Sequence, residues 1–201
     1  NYSDLTKQYA KVKLTSDISH LSDNEKQMLN YLYEVGNIMD DIFWTQQFGS
    51  DKETFLNSIQ DPDARLFAEI NYGPWNHFDG LAPFLPEYGE MPAGAGFYPA
   101  DMTKEEFEAW DNPDKTSLYT LVRRDENGKL QTVWYHEAYA EQIQKAAKLL
   151  EEASKLASDK EFAEYLSLRA KALLTDEYLE SDMAWMDVRN NNVEFVVGPI
   201  E

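Results

Sequence analysis

The sequence predicts a mainly helical α+β fold with short β-hairpins, and this prediction rests on three observations. Capping boxes of the form Ser/Thr-x-x-Glu begin at Ser22, Thr103 and Ser158, each ahead of a segment suited to a helix. Apolar residues return every three or four positions after Ser22 and after Ser158, which is typical of an amphipathic helix. The pair Asn127-Gly128 separates two short runs rich in Leu, Val and aromatic residues, which is typical of a hairpin.

The first part of the chain is predicted to consist of packed helices. A long helix should begin at Ser22 and end near Gly49, with an apolar face at Met28, Leu29, Leu32, Val35, Met39, Ile42 and Phe43. A short helix fits residues 52–59. Pro62 suits a first-turn position and should open another helix that runs through Ala68.

Residues 70–101 form a long loop rich in Pro, Gly and aromatic residues. Loops of about 30 residues are uncommon inside compact domains and are often functional. Two interpretations of its aromatic side chains remain open at this point: they fix the loop on the core, or they form a binding surface. The side chains concerned are Tyr72, Trp75, Phe78, Phe84, Tyr88, Phe97 and Tyr98.

The last part of the chain is predicted to alternate between hairpins and helices. The capping box at Thr103 should start a short helix that ends near Trp110. Strands at 118–123 and 130–134 should flank the turn at Asn127-Gly128. Helices are then expected at 138–157, 158–174 and 175–186, followed by a second hairpin turn at 190–192 and a terminal strand that runs to Glu201.

The charge of the chain excludes some classes of partner. Eighteen Lys and Arg face thirty-seven Asp and Glu, a net charge of -19. Such a surface repels phosphate backbones and anionic lipids, so nucleic-acid and membrane-surface binding are not expected. The acidic groups either solubilise the surface or attract cationic and amino-terminal groups. No apolar run has the roughly 20 residues of a membrane span, and compartment stays open.

No metal or catalytic motif is complete in this sequence. It has no Cys and three histidines, His20, His77 and His136, and none of the three is spaced to pair with another. His136-Glu137 starts like a zinc-binding H-E-x-x-H helix, but Ala140 occupies the second His position, so His136 is predicted to be structural or solvent-facing. Nucleophile elbows, phosphate loops and EF-hand loops are also missing. We therefore expect no catalytic residue, no metal ligand and no cofactor in this chain.

Five segments resemble, in order, the N-terminal region of bacterial dipeptidyl peptidase III-like proteins, which are zinc-dependent exopeptidase relatives. They are residues 70–75 (INYGPW), 97–102 (FYPADM), 118–124 (LYTLVRR), 173–176 (LLTD) and 181–185 (SDMAW). The resemblance implies that residues 1–201 are a single N-terminal module of a larger protein. It would form much of the non-metal lobe of a two-lobed peptidase, with the cleft between the lobes.

In that family two helices, H-E-x-x-G-H and E-E-x-x-A-D, hold the zinc and the catalytic Glu, and neither motif is present here. The resemblance thus implies that a C-terminal part of the same protein supplies the zinc. The short peptide substrate would lie between the two parts.

One residue is carried over from the family as substrate-binding. Gly198-x-Ile200-Glu201 matches a G-x-I-E pattern whose Glu helps to hold the amino terminus of the substrate, so Glu201 is the predicted substrate-binding residue. An exopeptidase that releases dipeptides needs a carboxylate at a fixed distance from its metal. The alternatives are that Glu201 is an exposed strand residue, and that the chain is an inert peptide-binding or helical interaction module. A cytoplasmic enzyme and an exported lipoprotein both fit the resemblance.

Overall fold

The computed structural model describes residues 1–200 and is 51% helical. Its helices are α1 (Tyr2–Thr6), α2 (Asp23–Gln47), α3 (Lys52–Ser58), α4 (Pro62–Asn71), α5 (Lys104–Ala109), α6 (Tyr135–Ala138), α7 (Ala140–Leu156), α8 (Lys160–Thr175) and α9 (Leu179–Asp187). Its strands are β1 (Trp75–Asn76), β2 (Ala82–Pro83), β3 (Thr120–Arg124) and β4 (Leu130–Trp134), which form two two-stranded sheets. The predicted mainly helical α+β class with short hairpins is confirmed.

The described residues group into two compact units. The first unit comprises residues 1–15, 43–111 and 122–130, and the second comprises 16–42, 112–121 and everything from 131 on. None of the helices within residues 1–200 combines the length and the apolar content needed to cross a lipid bilayer.

The first unit has an aromatic core. Its buried members are Trp44, Phe55, Leu56, Ala64, Ala68 and Leu85, and Tyr2, Phe48, Ile59, Tyr72 and Phe84 pack against them. Phe48 and Phe55 lie with their ring centroids 4.3 Å apart, and the ring of Trp44 lies 5.2 Å from that of Tyr72. Large rings bury much apolar area per residue, so a few of them stabilise a small unit.

The loop at 70–101 is fixed to this core by its own aromatic residues. β1 and β2 pair within it, with Trp75 opposite Pro83, and Pro86–Tyr88 forms a single 3₁₀ turn. The indole Nε1 of Trp75 donates to the carbonyl of Gly89 at 3.0 Å, and the ring of Phe84 lies 4.6 Å from that of Phe67. The contacts of Trp75 and Phe84 favour the core-packing interpretation for these two side chains, whereas Phe78 is 68% exposed.

The core of the second unit is built around α8, which packs against α7 and α9. Side chains with essentially no solvent exposure come from α7 and α8, at Ile143, Leu150, Tyr165, Leu166 and Leu173. They repeat at helical spacing, which is why the sequence pattern predicted both helices.

The predicted capping boxes hold at two of three sites. In α2 the Ser22 hydroxyl accepts from the Glu25 N–H at 3.1 Å, and the Glu25 carboxylate accepts from the Ser22 N–H at 3.2 Å. The Thr103 hydroxyl accepts from the Glu106 N–H at 3.1 Å. The third assignment is wrong by one residue, because Asp159 rather than Ser158 caps α8 by accepting from the Phe162 N–H at 2.8 Å. Asp is as good an N-cap as Ser, so the sequence alone does not rank the two.

Two helix boundaries also differ from the prediction. The helix predicted over 138–157 corresponds to α7 (Ala140–Leu156), and the one-turn α6 (Tyr135–Ala138), which was not predicted, precedes it. The helix predicted to begin at 175 begins at Leu179, because Asp176 adopts a left-handed conformation (φ 59°) that ends α8. Asp tolerates that conformation better than most residues, since its short side chain bonds locally.

The prediction of a second hairpin and a terminal strand is wrong for the described residues. Residues 188–200 contain no strand. They do alternate in exposure: Val196 is 64% exposed and Val197 is 8% exposed. An extended segment that packs on helices produces the same alternation as a strand in a sheet, so the pattern does not reveal whether a partner strand exists.

Candidate functional site

A groove in the second unit runs along the segment that precedes Glu201, and we call it the terminal groove. Its volume is about 550 Å³. Three helices line it together with the segment itself: Gly36 and Met39 of α2, Arg169 of α8, Asp182 of α9, and residues 195–198 and 200. Gly198 and Ile200 of the G-x-I-E pattern thus line a concave surface, which is where ligands commonly bind.

Arg169 is the buried charge of the terminal groove, with only 4% of its surface exposed. Its Nη2 donates to the Asp182 carboxylate at 2.6 Å, and its Nη1 donates to the main-chain carbonyl of Val197 at 3.3 Å. The two nitrogens of one planar guanidinium therefore bond α9 and the terminal segment at the same time. Two donors in a fixed fork set direction as well as distance.

Two tyrosine rings flank this guanidinium. Its central carbon lies 5.4 Å from the ring centre of Tyr165 and 5.0 Å from that of Tyr178, within the range of cation–π attraction. Burial raises the pKa of both phenols above its ordinary value. Both rings therefore stay neutral, and they restrict the guanidinium to a narrow set of positions.

Gly198 packs closely on one of these rings. A Cβ at this position would lie 3.3 Å from Cε1 of Tyr178 and 3.4 Å from Cγ1 of Ile200. Val197 is thus held by the hydrogen bond from Arg169, and Gly198 is held by its contact with the Tyr178 ring. The two contacts fix the backbone that precedes Ile200.

A second, smaller groove of about 320 Å³ also borders α2. Leu29, Leu32, Tyr33, Gly36 and Asn37 line it with residues 193–195. Gly36 lines both grooves, and apart from its chain neighbours and the backbone of α2 no atom of the described residues lies within 4 Å of where its Cβ would be. The absence of a side chain at Gly36 keeps this stretch of the α2 surface open.

His136, which the sequence predicts to be structural or solvent-facing, does not line the terminal groove. Its Nδ1 lies 2.6 Å from Oδ2 of Asp176, and the same oxygen accepts from the His136 main-chain N–H at 3.0 Å. Burial is the largest influence on the Asp176 carboxyl and raises its pKa, although the bonds from His136 oppose it. The pair joins the start of α6 to the end of α8, which agrees with the structural reading of His136.

The other two histidines lie elsewhere. His20 precedes α2, and His77 follows β1 in the first unit, where its main-chain N–H donates to the Asn71 side chain at 3.0 Å. Within residues 1–200, no group of three or more His, Cys, Asp or Glu side chains is arranged to hold a metal ion. These residues do not fit a zinc site.

Sequence reasoning missed Arg169. It lies on the inward stripe of α8 with Phe162, Tyr165, Leu166 and Leu173, where an apolar residue is expected. Charged residues at such positions are rarely buried without a partner. A lone Arg on an apolar helical face is therefore the signal that could have found it, although the sequence does not identify its two acceptors.

Comparison with known proteins shows which solved structures share this fold. No protein-family model matches the chain. Its fold superimposes on the structure of DPP III from Caldithrix abyssi with a TM-score of 0.84 at 36% sequence identity, covering 92% of this chain and 37% of that one. The structure of dipeptidyl-peptidase III from Corallococcus sp. strain EGB gives a TM-score of 0.86 at 32% identity, covering 94% and 37%. The chain is therefore similar, over more than nine-tenths of its length, to part of each of these two dipeptidyl peptidase III structures.

A curated plant protein is also similar to this dipeptidyl peptidase III-like chain. Nudix hydrolase 3 of Arabidopsis thaliana is 27% identical over an alignment of 254 positions, gaps included, that spans 96% of this chain and 33% of that protein. The chain thus spans only about a third of the length of the proteins it matches. The comparisons therefore concern the fold of this third of those proteins and not the activity of a whole protein.

The residue predicted to bind substrate, Glu201, lies outside the described residues. The structure describes the dipeptidyl peptidase III-like region as far as Ile200, which lines the terminal groove. The substrate-binding role of Glu201 stays a prediction.

Proposed function

We propose that this chain is the N-terminal, non-zinc portion of a dipeptidyl peptidase III-like metallopeptidase that releases dipeptides from peptide N-termini. The observation that carries the proposal is the likeness to two dipeptidyl peptidase III structures over more than nine-tenths of the chain. The terminal groove supports it, because Gly198 and Ile200 of the G-x-I-E pattern line the groove.

In this proposal Glu201 binds the ammonium group of the substrate. A charge-assisted hydrogen bond between carboxylate and ammonium is short and directional, so it fixes one end of the peptide. The bond to be cleaved then lies a set number of residues away, which selects dipeptides as products. The net charge of -19 supports attraction of a cationic terminus over a distance.

The metal would come from a part of the polypeptide outside this chain. Bound zinc polarises the peptide carbonyl and activates water. The contribution of residues 1–201 would be to bind the amino terminus, orient the peptide and line one side of the cleft.

The test is kinetic and uses the full-length protein that contains this chain. Glu201→Gln keeps the shape of the side chain but removes its charge. Losing a hydrogen bond to a charged group costs about 1.5–3 kcal/mol, or roughly a tenfold to hundredfold fall in kcat/KM on a free-amine dipeptidyl arylamide. Glu194→Gln is the matched control, because Glu194 is an exposed carboxylate on the same segment that lines the other groove.

The N-acetylated form of the substrate separates ammonium binding from a general loss of activity. If Glu201→Gln loses nothing on the free-amine substrate, or loses equally on both substrates, Glu201 does not bind the ammonium group. If the full-length protein binds the free-amine peptide but never cleaves it, the alternative of an inert peptide-binding module is correct.

A further inference from the structure

We infer that Arg169 is a positioning residue for the proposed substrate-binding segment: its hydrogen bond to the Val197 carbonyl fixes the backbone that leads into Gly198 and Glu201. The inference rests on the proposed function, because it gives Arg169 a role that acts through Glu201. Arg169 itself need not touch the substrate.

The first step is the choice of residue. The side chain lies on the inward face of α8 and is 4% exposed, so its charge is removed from water at a cost. An apolar residue would fill the same inward position without that cost. What arginine adds is a rigid fork whose two arms reach two different acceptors, 2.6 Å away on α9 and 3.3 Å away on the terminal segment.

Asp182 and two tyrosine rings set the orientation of the Arg169 guanidinium. The Asp182 carboxylate binds one arm, and the rings of Tyr165 and Tyr178 lie 5.4 and 5.0 Å from the guanidinium carbon. The other arm is therefore already directed when it meets the Val197 carbonyl. A lysine offers a single ammonium centre on a flexible stem, so it does not reproduce two diverging planar donors.

The third step links this contact to the site. Val197 is buried, and Gly198 packs against Tyr178, so the segment is held immediately before Ile200 and Glu201. Misplacement of a binding group by about 1 Å can cost a hundredfold in rate. Release of Val197 should therefore weaken ammonium binding without removing any group that contacts the substrate.

The kinetic test uses the full-length protein with Arg169→Lys, Glu201→Gln and the double variant. We expect Arg169→Lys to lower kcat/KM on the free-amine arylamide by roughly tenfold to hundredfold. We expect it to lower kcat/KM much less on the N-acetylated form. In the Glu201→Gln background the same change should cost almost nothing, because the residue through which Arg169 acts has already lost its charge.

Lys171→Gln is the matched control. Lys171 also lies on α8 and also pairs with an acid of α9, Glu180 at 3.4 Å, but it does not line the terminal groove. We expect wild-type kinetics from this variant.

Hydrogen exchange of the main-chain amides gives a readout that does not depend on turnover. Within residues 196–200 the readout comes from Val196, Val197, Gly198 and Ile200, because Pro199 has no amide hydrogen. These amides should exchange at least several-fold faster in Arg169→Lys than in the wild type, while the amides of α7 keep their rates. If Arg169→Lys fails to fold, Asp182→Asn is measured instead. The Asp182→Asn change removes the negative charge that orients the Arg169 guanidinium, and the Asp182 side chain is 56% exposed, so its replacement disturbs packing less.

The outcomes separate the two proposals. If Glu201→Gln impairs turnover of the free-amine substrate but Arg169→Lys does not, the positioning role is overturned and the proposed function stands. Additive losses in the double variant, or unchanged exchange at 196–200, also overturn the positioning role. If Glu201→Gln has no effect, the proposed function fails and the role of Arg169 fails with it.

Discussion

Gly96 is held by one main-chain hydrogen bond to the last turn of α2 and by a second one from the side chain of Arg123 on β3. Its N–H donates to the Gln46 carbonyl at 2.7 Å, and its carbonyl accepts from Nη2 of Arg123 at 2.7 Å. A Cβ at Gly96 would lie 2.5 Å from the Thr45 carbonyl oxygen and 2.7 Å from that of Gln46. Both obstacles are main-chain atoms that do not rotate away, so only glycine fits here.

Gly96→Ala should therefore destabilise the protein. The added methyl group must push the loop away from α2, and overpacking of this kind typically costs about 1–3 kcal/mol. The measurement is the free energy of unfolding from urea titration followed by circular dichroism.

Gly36→Ala is the control for that change. Apart from its chain neighbours and the backbone of α2, no atom of the described chain lies within 4 Å of its Cβ position, and alanine is favoured over glycine in a helix interior by roughly 0.5–1 kcal/mol. We expect this variant to be more stable than the wild type. Equal midpoints for the two variants would show that Gly96 has more room than the structure gives it.

Helix starts depend on single side chains in this protein. Asp159 caps α8 through a 2.8 Å bond to the Phe162 N–H, whereas Asp51, at the same position before α3, makes no side-chain capping bond within the described residues. Asp159→Ala should cost about 1 kcal/mol of stability. Asp51→Ala should cost less than about 0.5 kcal/mol. A thermal unfolding series that ranks the two variants in the opposite order would contradict the assigned cap.

The capping box of α2 predicts a pH effect. The bond from the Ser22 N–H is the largest influence on Glu25 and lowers its pKa below the ordinary 4.5. Because the folded-state pKa lies below the unfolded value, the carboxylate stabilises the fold above pH 4.5 or so. That contribution is lost as the pH falls through the folded-state pKa.

Glu25→Gln tests this sign. The variant cannot titrate at this position, so its stability should fall less than that of the wild type as the pH is lowered from about 7 to about 3. The measurement is the urea midpoint at a series of pH values. Two curves that stay parallel over the whole range would mean that Glu25 has the same pKa in the folded and unfolded states.

The isolated 201-residue chain is expected to bind no zinc tightly and to cleave no dipeptidyl arylamide. The chain has no Cys, and within residues 1–200 no three His, Cys, Asp or Glu side chains are arranged to hold a metal ion, so the described residues do not supply the ligands of a tetrahedral site. The measurement is metal content after dialysis against a mild chelator, with the full-length protein as the positive control. Stoichiometric zinc bound through histidine in the isolated chain would contradict the expectation.

Several features of this protein follow from the sequence without any tertiary information. Helices α2, α7 and α8 and the turn at Asn127-Gly128 were predicted because helical spacing, capping residues and positive-φ glycines act over a few neighbouring residues. The family resemblance and the absence of complete metal motifs were likewise visible in the residues themselves. The helices and the turn could be predicted because they depend on local chemistry.

Other features depend on residues distant in sequence, and the sequence did not reveal them. Segment 188–200 has the alternation of a strand but packs beside helices, and Arg169 looks like an exception on an apolar stripe until Val197, 28 residues further along the chain, supplies its acceptor. Asp176 ends α8 and binds His136, 40 residues earlier. Local propensity limits what each segment can form, whereas the partner that satisfies a buried polar group is chosen by packing in three dimensions.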